Sequence, residues 1–252
     1  MHLDVVDLRS FYYRTKLGRT AQRVLQENLR QFWPKTEGLT VAGFGFAAPF
    51  LRPFMSDAGN LICLMPDQQG VMPWPPGEDN RSVLCEETRW PVAPGSIDRL
   101  IVAHGLETCE KAGALLEEIW HVLAPGGEVV FILPNRTGAW SRRDTTPFGY
   151  GRPYSFSQAE AQLRAHRFVP ERHEAVLYGP PSHKPYWLRS AGVWERVGRR
   201  IDAQMFAGVL MIQATKQVYA LPRKGTKVSV KGPLEVLEGL TAPGPKPVVN
   251  RD

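Results

Sequence analysis

The residues best suited to hold a small ligand are two glycines that follow an apolar stretch. They stand in the run Gly43-Phe44-Gly45-Phe46-Ala47-Ala48. A glycine at position 43 permits a tight turn from strand to helix, and a glycine at 45 lets the backbone approach a ligand, because neither residue has a Cβ atom. A Gly-x-Gly pair after an apolar strand also arises by chance, so the glycines alone carry little weight.

Three segments further along the chain add weight to the glycines. They are Cys85-Glu86-Glu87-Thr88-Arg89-Trp90-Pro91-Val92, Ser96-Ile97-Asp98-Arg99-Leu100-Ile101-Val102-Ala103-His104-Gly105-Leu106-Glu107, and Val122-Leu123-Ala124-Pro125-Gly126-Gly127-Glu128-Val129-Val130. In order and spacing, residues 38–178 resemble the class I S-adenosylmethionine (SAM) methyltransferases. That family has an acidic residue before Leu-Pro-Phe, a Ser-Phe-Asp…His-x-Leu-Glu stretch and a Leu-x-Pro-Gly-Gly turn. The resemblance implies that SAM is the cofactor.

The resemblance also implies a role for each residue at the cofactor site. Gly43 and Gly45 would line the methionine and ribose, Glu86 would accept the adenine amino group, and the helix after Gly45 would point its positive end at the cofactor carboxylate. His104 would face the methionyl end and the methyl acceptor. The full expected cofactor set is Gly43, Phe44, Gly45, Met65, Asp67, Glu86, Glu87, His104 and Gly105.

The cofactor motifs are degenerate at three positions. Val41 stands where most members have an acidic residue, Ala47 replaces a third glycine, and Met65 replaces the acid that grips the ribose hydroxyls. Loss of such a carboxylate removes about 1.5–3 kcal/mol per charged hydrogen bond. Asp67, two residues further on, is the candidate substitute, and the site is therefore either reshaped or decayed.

The methyl acceptor is expected to contact the loop that follows the fifth strand. The candidate residues are Asn135, Arg136, Arg142, Arg143 and Tyr154. These side chains form either a cleft for an anionic or aromatic acceptor or an ordinary solvated loop. His104 is the candidate general base by position and by its usual pKa range, although a structural role for it is equally common.

The three cysteines, Cys63, Cys85 and Cys109, are too few and too widely spaced for a disulfide framework or a metal knuckle, so no metal site is expected. No apolar run is long enough to span a bilayer, and the N-terminus has no signal pattern, which together predict a cytoplasmic protein. The formal net charge is +6. The tail contributes most of it, so contact of the tail with nucleic acid or protein stays open.

Apolar periodicity predicts the elements that position these residues. Strands are expected at 39–44, 61–65, 82–85, 99–103, 128–133, 172–178 and 209–219, and helices at 8–33, 49–55, 110–123 and 157–166, with Ser157 and Glu160 capping the last. Continuously apolar strands separated by helices indicate an α/β fold with a doubly wound, mostly parallel seven-stranded sheet of the Rossmann-like type. Such sheets bind ligands at the carboxyl ends of their strands.

The same patterns predict three segments. Residues 1–37 form an N-terminal helical segment, residues 38–220 form the methyltransferase-like domain with a helical cap at about 179–205, and residues 221–252 form a basic tail rich in Pro and Gly, expected to be flexible.

Besides nucleic-acid binding through the basic tail, three functional hypotheses remain open at this point. The first is a SAM-dependent methyltransferase with an unknown small-molecule or macromolecular acceptor. The second is a non-catalytic methyltransferase-like protein that binds or regulates a partner, suggested by Val41 and Met65. The third is an NAD-dependent dehydrogenase, which uses the same glycine spacing but leaves the Pro125-Gly126-Gly127 turn unexplained.

Overall fold

A computed structural model describes residues 3–142, 145–182, 184, 186–187, 190–200 and 204–217. Its centre is a sheet of seven strands in the order β3-β2-β1-β4-β5-β7-β6. The strand bounds are β1 Thr40–Gly45, β2 Asn60–Pro66, β3 Ser82–Cys85, β4 Ile97–Ala103, β5 Leu123–Pro134, β6 Phe168–Val176 and β7 Val209–Lys216. Strands β1 to β5 pair in parallel, whereas β7 pairs antiparallel with both β5 and β6. The predicted α/β class and the mostly parallel seven-stranded sheet are therefore confirmed.

Helices cover both faces of this sheet. Their bounds are α1 Val5–Arg9, α2 Lys16–Phe32, α3 Ala48–Leu51, α4 Ala112–Val122, α5 Phe156–Ala165 and α6 Ala191–Arg200. One buried cluster joins α2 and α3 to strand residues such as Val41 and Ile101. A second cluster joins α4 and α5 to the neighbouring residues Ala42 and Leu100. Because side chains alternate between the two faces along a strand, continuously apolar strands can serve both helical layers.

The N-terminal helix differs from the single helix predicted at 8–33. Helix α1 continues into one π-helical turn, Ser10–Arg14, and Thr15 then adopts an extended conformation with φ −91° and ψ 147°. The Thr15 hydroxyl accepts a hydrogen bond from the Gly18 amide at 2.9 Å and so caps α2. A threonine that caps a helix stops the helix before it, which periodicity alone does not reveal. Residues 3–14 are called the N-terminal arm below.

Two other helices also depart from their predictions. The segment after β1 contains only the four residues of α3, followed by a 3₁₀ turn at Arg52–Phe54. Helix α5 is capped by Ser155 instead of Ser157, since the Ser155 hydroxyl accepts from the Gln158 amide while the Gln158 side chain returns to the Ser155 amide. The sequence holds two overlapping capping patterns, and the extended backbone at Ser155 decides between them.

The connections around β3 have no helix. Residues 67–81 and 86–96, all of which the structure describes, consist of turns and irregular backbone. In addition, the antiparallel β7 lies between β5 and β6, whereas the dinucleotide-binding order of dehydrogenases is 3-2-1-4-5-6. This topology argues against the dehydrogenase hypothesis.

The remaining predicted segments are described only in part. Helix α6 lies within the predicted cap at 179–205, a 3₁₀ turn at Gln204–Phe206 overlaps the end of that range, and the tail at 221–252 lies outside the described residues. The division of the chain into domains therefore stays a prediction. Within the described residues, none of the helices is both long and apolar enough to cross a bilayer.

Candidate functional site

The carboxyl ends of four parallel strands bring most of the predicted cofactor residues to one edge. Strands β3, β2, β1 and β4 are neighbours in that order, with Gly45 paired to Ala103 and Pro66 paired to Cys85. Asp67, Glu86 and His104 directly follow β2, β3 and β4. The edge of a parallel sheet where neighbouring strands end is where this class of fold binds ligands.

The two glycines are needed by the protein's own packing. A Cβ atom at Gly43 would lie 2.6 Å from the Ala47 Cβ, and a Cβ at Gly45 would lie 2.2 Å from the Ala103 carbonyl oxygen. Gly45 also has a positive φ of 77°, a conformation that favours glycine. The predicted turn is therefore present, but protein atoms occupy the space that the missing side chains leave.

A buried chain of three polar side chains lies at the end of β4. The Tyr12 Oη lies 2.7 Å from the His104 Nε2, and the His104 Nδ1 lies 3.3 Å from the Glu107 Oε1. All three residues are at most 2% exposed. Burial, followed by the negative charge of Glu107, raises the pKa of Tyr12 well above its usual value. We therefore assign the Tyr12 hydroxyl as the donor to Nε2, with the imidazole proton on Nδ1 facing the carboxylate.

Aromatic contacts hold Tyr12 in this position. Its ring stacks on Phe46 with centroids 5.9 Å apart and meets Phe50 edge-on at 5.4 Å. His104 also contacts the ring of Phe148 at 4.9 Å. His104 itself has a φ of 52°, which is uncommon for a residue other than glycine. The predicted base thus has its Nε2 engaged by the N-terminal arm.

Gln69 spans the end of β1 from one side to the other. It lies after β2, and its Nε2 donates a 2.8 Å hydrogen bond to the carbonyl oxygen of His104, which follows β4. Because β1 lies between β2 and β4, this buried side chain crosses the edge near Gly45. The Gln69 carbonyl oxygen accepts from the Val5 amide at 2.8 Å, which ties the N-terminal arm to the same place.

An open cleft lies beside this filled region, at the ends of β2 and β3. Its volume is about 580 Å³, and its lining includes Asp67, Glu86 and Trp90. Both residues are exposed, so their carboxylates can accept hydrogen bonds from a ligand, and one oxygen of Asp67 also accepts from the Gln68 amide at 2.8 Å. This is the one part of the predicted cofactor site that offers accessible acceptors among the residues the structure describes.

The other predicted cofactor residues are placed as follows. Phe44 and Met65 are buried in opposite layers, and the Phe44 ring stacks on Trp90 at 4.6 Å. Gly105 is packed against Phe44, so that a Cβ there would lie 2.9 Å from that ring. Glu87 accepts a 3.4 Å hydrogen bond from the Cys109 thiol. Their roles toward a cofactor stay predictions.

The predicted acceptor residues are not gathered into one pocket. Asn135 is buried, and its Nδ2 donates to the Ala207 carbonyl at 2.8 Å. The Arg136 guanidinium donates to the Pro153 carbonyl, Arg142 is exposed, and Tyr154 is half-buried. Arg143 lies outside the described residues. Asn135 and Arg136 make contacts that hold the loop together, and the acceptor-binding roles remain predictions.

The cysteines and possible metal ligands add no further chemistry. All three thiols are free and buried, and burial is the largest of the causes that raise the pKa of each to about 12. The described residues include no group of three or more His, Cys, Asp or Glu side chains placed to hold a metal ion.

The residues of this site that the sequence did not single out are Tyr12, Gln69 and Glu107. Glu107 belongs to the His-x-Leu-Glu stretch, whose spacing of three residues from His104 was the available signal. Tyr12 lies in the first predicted helix, and nothing local predicts that it meets a histidine 92 positions away.

Comparison with known proteins places the fold among solved structures. No protein-family model matches the chain, and no curated protein matches its sequence. A SAM-dependent methyltransferase from Thermotoga maritima superposes with a TM-score of 0.56 at 13% identity, covering 84% of this chain and 96% of that one. The 1,6-didemethyltoxoflavin-N1-methyltransferase of Burkholderia thailandensis, solved with S-adenosylhomocysteine, gives 0.53 at 16% identity, covering 79% of each chain.

One of the similar structures is that of an enzyme named for a different reaction. The [4+2]-cyclase SpnF superposes with a TM-score of 0.54 at 16% identity, covering 81% of this chain and 84% of that one. At such identities a structural match establishes the fold and not the reaction, because one fold carries many activities. This chain has the seven-stranded fold of the class I SAM-dependent methyltransferases.

Proposed function

We propose that this chain is a SAM-dependent methyltransferase whose N-terminal arm must move before the cofactor can bind. The observation that carries the proposal is the placement of Gly45, Asp67, Glu86 and His104 at adjacent strand ends of this sheet. The order of the sequence motifs along the chain, which resembles that of the family, also supports it. Transfer of a methyl group needs an in-line acceptor more than a dedicated catalytic base.

The residues present fit an adenosine group better than a methionine chain. Asp67 and Glu86 offer exposed carboxylates in the open cleft, suited to ribose hydroxyls and the adenine amino group respectively. Beside Gly45, however, Tyr12 and Gln69 fill the edge. Both side chains must move for a methionine chain to lie along the glycine turn.

The helix after β1 is shorter than the helix predicted at 49–55, which was expected to point its positive end at the cofactor carboxylate. With only four residues, α3 provides little of the macrodipole that would attract a carboxylate. The cofactor, when bound, supplies an electrophilic methyl group. This chain's own residues would hold the nucleoside and shield the reacting atoms from water, and His104 could accept a proton at Nε2 once Tyr12 has moved away.

Calorimetry with S-adenosylhomocysteine tests this proposal on the full chain. We expect the wild type to bind, and we expect Glu86→Gln and Asp67→Asn each to weaken binding about tenfold, since each removes a charged acceptor. Glu117→Gln, an exposed change on α4 far from the strand ends, is the matched control. Absence of binding at millimolar ligand by both the wild type and Tyr12→Phe would reject the proposal.

A second candidate is a non-catalytic methyltransferase-like protein that binds or regulates a partner. The buried contacts of Tyr12 and Gln69 with His104, together with Met65 at the ribose position, favour it. It predicts that S-adenosylhomocysteine fails to bind even when Tyr12→Phe weakens the arm. The same titrations therefore separate the two candidates.

A further inference from the structure

The exposed side of helix α2 carries a row of cations. They are Lys16, Arg19, Arg23 and Arg30, which we call the basic stripe. From the geometry of an α-helix, these four positions fall within about 60° of one another around the axis and extend over about 21 Å along it. All four residues are exposed, and Glu27 is the sole acidic residue of the helix. The stripe is therefore a straight, positively charged edge.

Carboxylates of the protein do not neutralise this stripe. Among the residues that the structure describes, the arginines in ion pairs are Arg99, Arg164 and Arg172, and none of them lies on α2. Arg30 donates a 3.3 Å hydrogen bond to the Pro53 carbonyl oxygen, which leaves its charge uncompensated. A row of like charges without internal counter-ions attracts an external polyanion.

A cleft separates the stripe from the 3₁₀ turn at Arg52–Phe54. Its volume is about 390 Å³, and its lining comprises Arg23, Gln26, Glu27, Arg30, Arg52 and Pro53. The Gln26 Nε2 donates to the Pro49 carbonyl oxygen at 2.7 Å and so ties α2 to the segment that precedes the turn. Arg52 comes from the turn and is exposed, whereas Arg23 and Arg30 come from α2. Guanidinium groups on two sides of a cleft suit a phosphate group, because its oxygens accept several charged hydrogen bonds.

The aromatic residues near the stripe are buried. Phe32, Trp33 and Phe54 all lie in the core, so the described segments 15–33 and 52–54 offer no exposed ring on which an unpaired base could stack. A nucleic acid on the stripe would therefore be held through its phosphates, which carry no sequence information. The rigid backbone of a duplex matches a straight stripe better than a single strand, whose bases need stacking partners.

We propose that the basic stripe, together with Arg52, binds the phosphate backbone of a nucleic-acid duplex without sequence preference. Successive phosphates contact the stripe, and one phosphate enters the cleft between Arg23 and Arg52. The stripe begins four residues after Tyr12, whose hydroxyl contacts His104, so a bound duplex extends away from the ligand edge. This binding does not require SAM, and it stands or falls separately from the proposed activity.

Fluorescence anisotropy with a labelled DNA duplex of about 20 base pairs tests the stripe on the full chain. Arg23→Gln and Arg52→Gln should each weaken binding about five- to tenfold at about 0.1 M salt, since each removes one phosphate contact. The slope of log K against log salt concentration should become shallower by about 0.9 in each variant. Glu27→Gln, which removes the acidic residue beside the stripe, should tighten binding.

Arg164→Gln is the control that matches these variants in charge. Arg164 lies on α5, which packs against the other face of the sheet, so the affinity and the salt slope should stay unchanged. Equal losses in Arg164→Gln and Arg23→Gln would overturn the proposal, because binding would then follow the net charge of the protein and not the stripe. Unchanged duplex affinity in both Arg23→Gln and Arg52→Gln would overturn it too.

Two further outcomes separate this proposal from its neighbours. Binding to phosphatidylserine vesicles that depends on Arg23, with no binding to the duplex, would assign the stripe to a membrane surface and reject the proposal. Duplex binding that depends on Arg23, in a protein that fails to bind S-adenosylhomocysteine, would support the stripe while the proposed methyltransferase activity fails.

Discussion

The Tyr12 Oη lies 2.7 Å from the Nε2 of His104, and this contact closes the ligand edge of the sheet. It joins the N-terminal arm to the residue that follows β4. Around it, the Val5 amide binds the Gln69 carbonyl and the Gln69 side chain binds the His104 carbonyl. Two polar contacts thus hold the arm across the place where the fold would receive its ligand, and a third joins Gln69 to His104 beneath it.

Replacement of Tyr12 by Phe should weaken this closure. The change keeps the aromatic packing but leaves His104 Nε2 without its donor, which should lower the free energy of unfolding by about 1–3 kcal/mol. If the arm excludes the cofactor, the same variant should bind S-adenosylhomocysteine more tightly than the wild type. Urea titration and calorimetry measure the two effects.

Tyr13→Phe is the matched control for this experiment. Burial is the first cause that raises the pKa of Tyr13 to about 12, and its hydroxyl contacts Trp74 instead of His104. We expect no gain of S-adenosylhomocysteine affinity in this control. An equal gain in both variants would contradict a specific role for the Tyr12–His104 contact.

Gly45→Ala and Gly126→Ala should separate backbone strain from steric exclusion. The two glycines have nearly equal φ angles, 77° and 76°. A Cβ at Gly45 would lie 2.2 Å from the Ala103 oxygen, whereas a Cβ at Gly126 would meet nothing within 4 Å. Both variants carry a left-handed penalty of about 1–2 kcal/mol, and Gly45→Ala should lose at least about 2 kcal/mol more. Equal losses of unfolding free energy would show that the turn at Gly45 has room for a Cβ atom.

The buried thiols should make the protein less stable in alkali. Burial is the main cause that raises the pKa of Cys63 from 9.0 to about 12 in the folded state. This contribution to stability is complete below pH 9.0 and is lost as the pH rises through about 12. Cys63 alone should give a slope of up to about 1.4 kcal/mol per pH unit in that window. Urea titrations of wild type and Cys63→Ala at several alkaline pH values should show a shallower slope for the variant; parallel slopes would contradict the assignment.

Ser155→Ala should cost stability where Ser157→Ala does not. The Ser155 hydroxyl accepts the Gln158 amide at 3.3 Å at the first turn of α5, and the loss of such a cap costs about 1 kcal/mol. Ser157 lies inside the helix and bonds only weakly to Ser155, at 3.2 Å. Chemical denaturation of both variants measures the difference in the free energy of unfolding. A larger loss for Ser157→Ala would show that Ser157 caps α5, as the Ser157–Glu160 pattern predicted.

Local sequence patterns were sufficient to predict the strands of the sheet and the edge at which a ligand would bind. Continuous apolar runs marked the strands, and the Pro125-Gly126-Gly127 turn marked the start of the main part of β5. These features depend on neighbours a few residues apart, so a single sequence reveals them. The resemblance to methyltransferases rested on the order of such segments, and the fold agrees with it.

Helix boundaries and the state of the site depended on contacts between distant parts of the chain. Thr15 divides the single helix predicted at 8–33, and Ser155 instead of the predicted Ser157 begins α5, because the backbone at each is extended. Tyr12 reaches His104 across 92 positions and Gln69 reaches it across 35. The sequence determined where a ligand edge would form, and only tertiary packing decided that Tyr12 and Gln69 fill it. The physical reason is that periodicity reports which face of an element is buried, whereas the partner on that face is set by how the elements pack together.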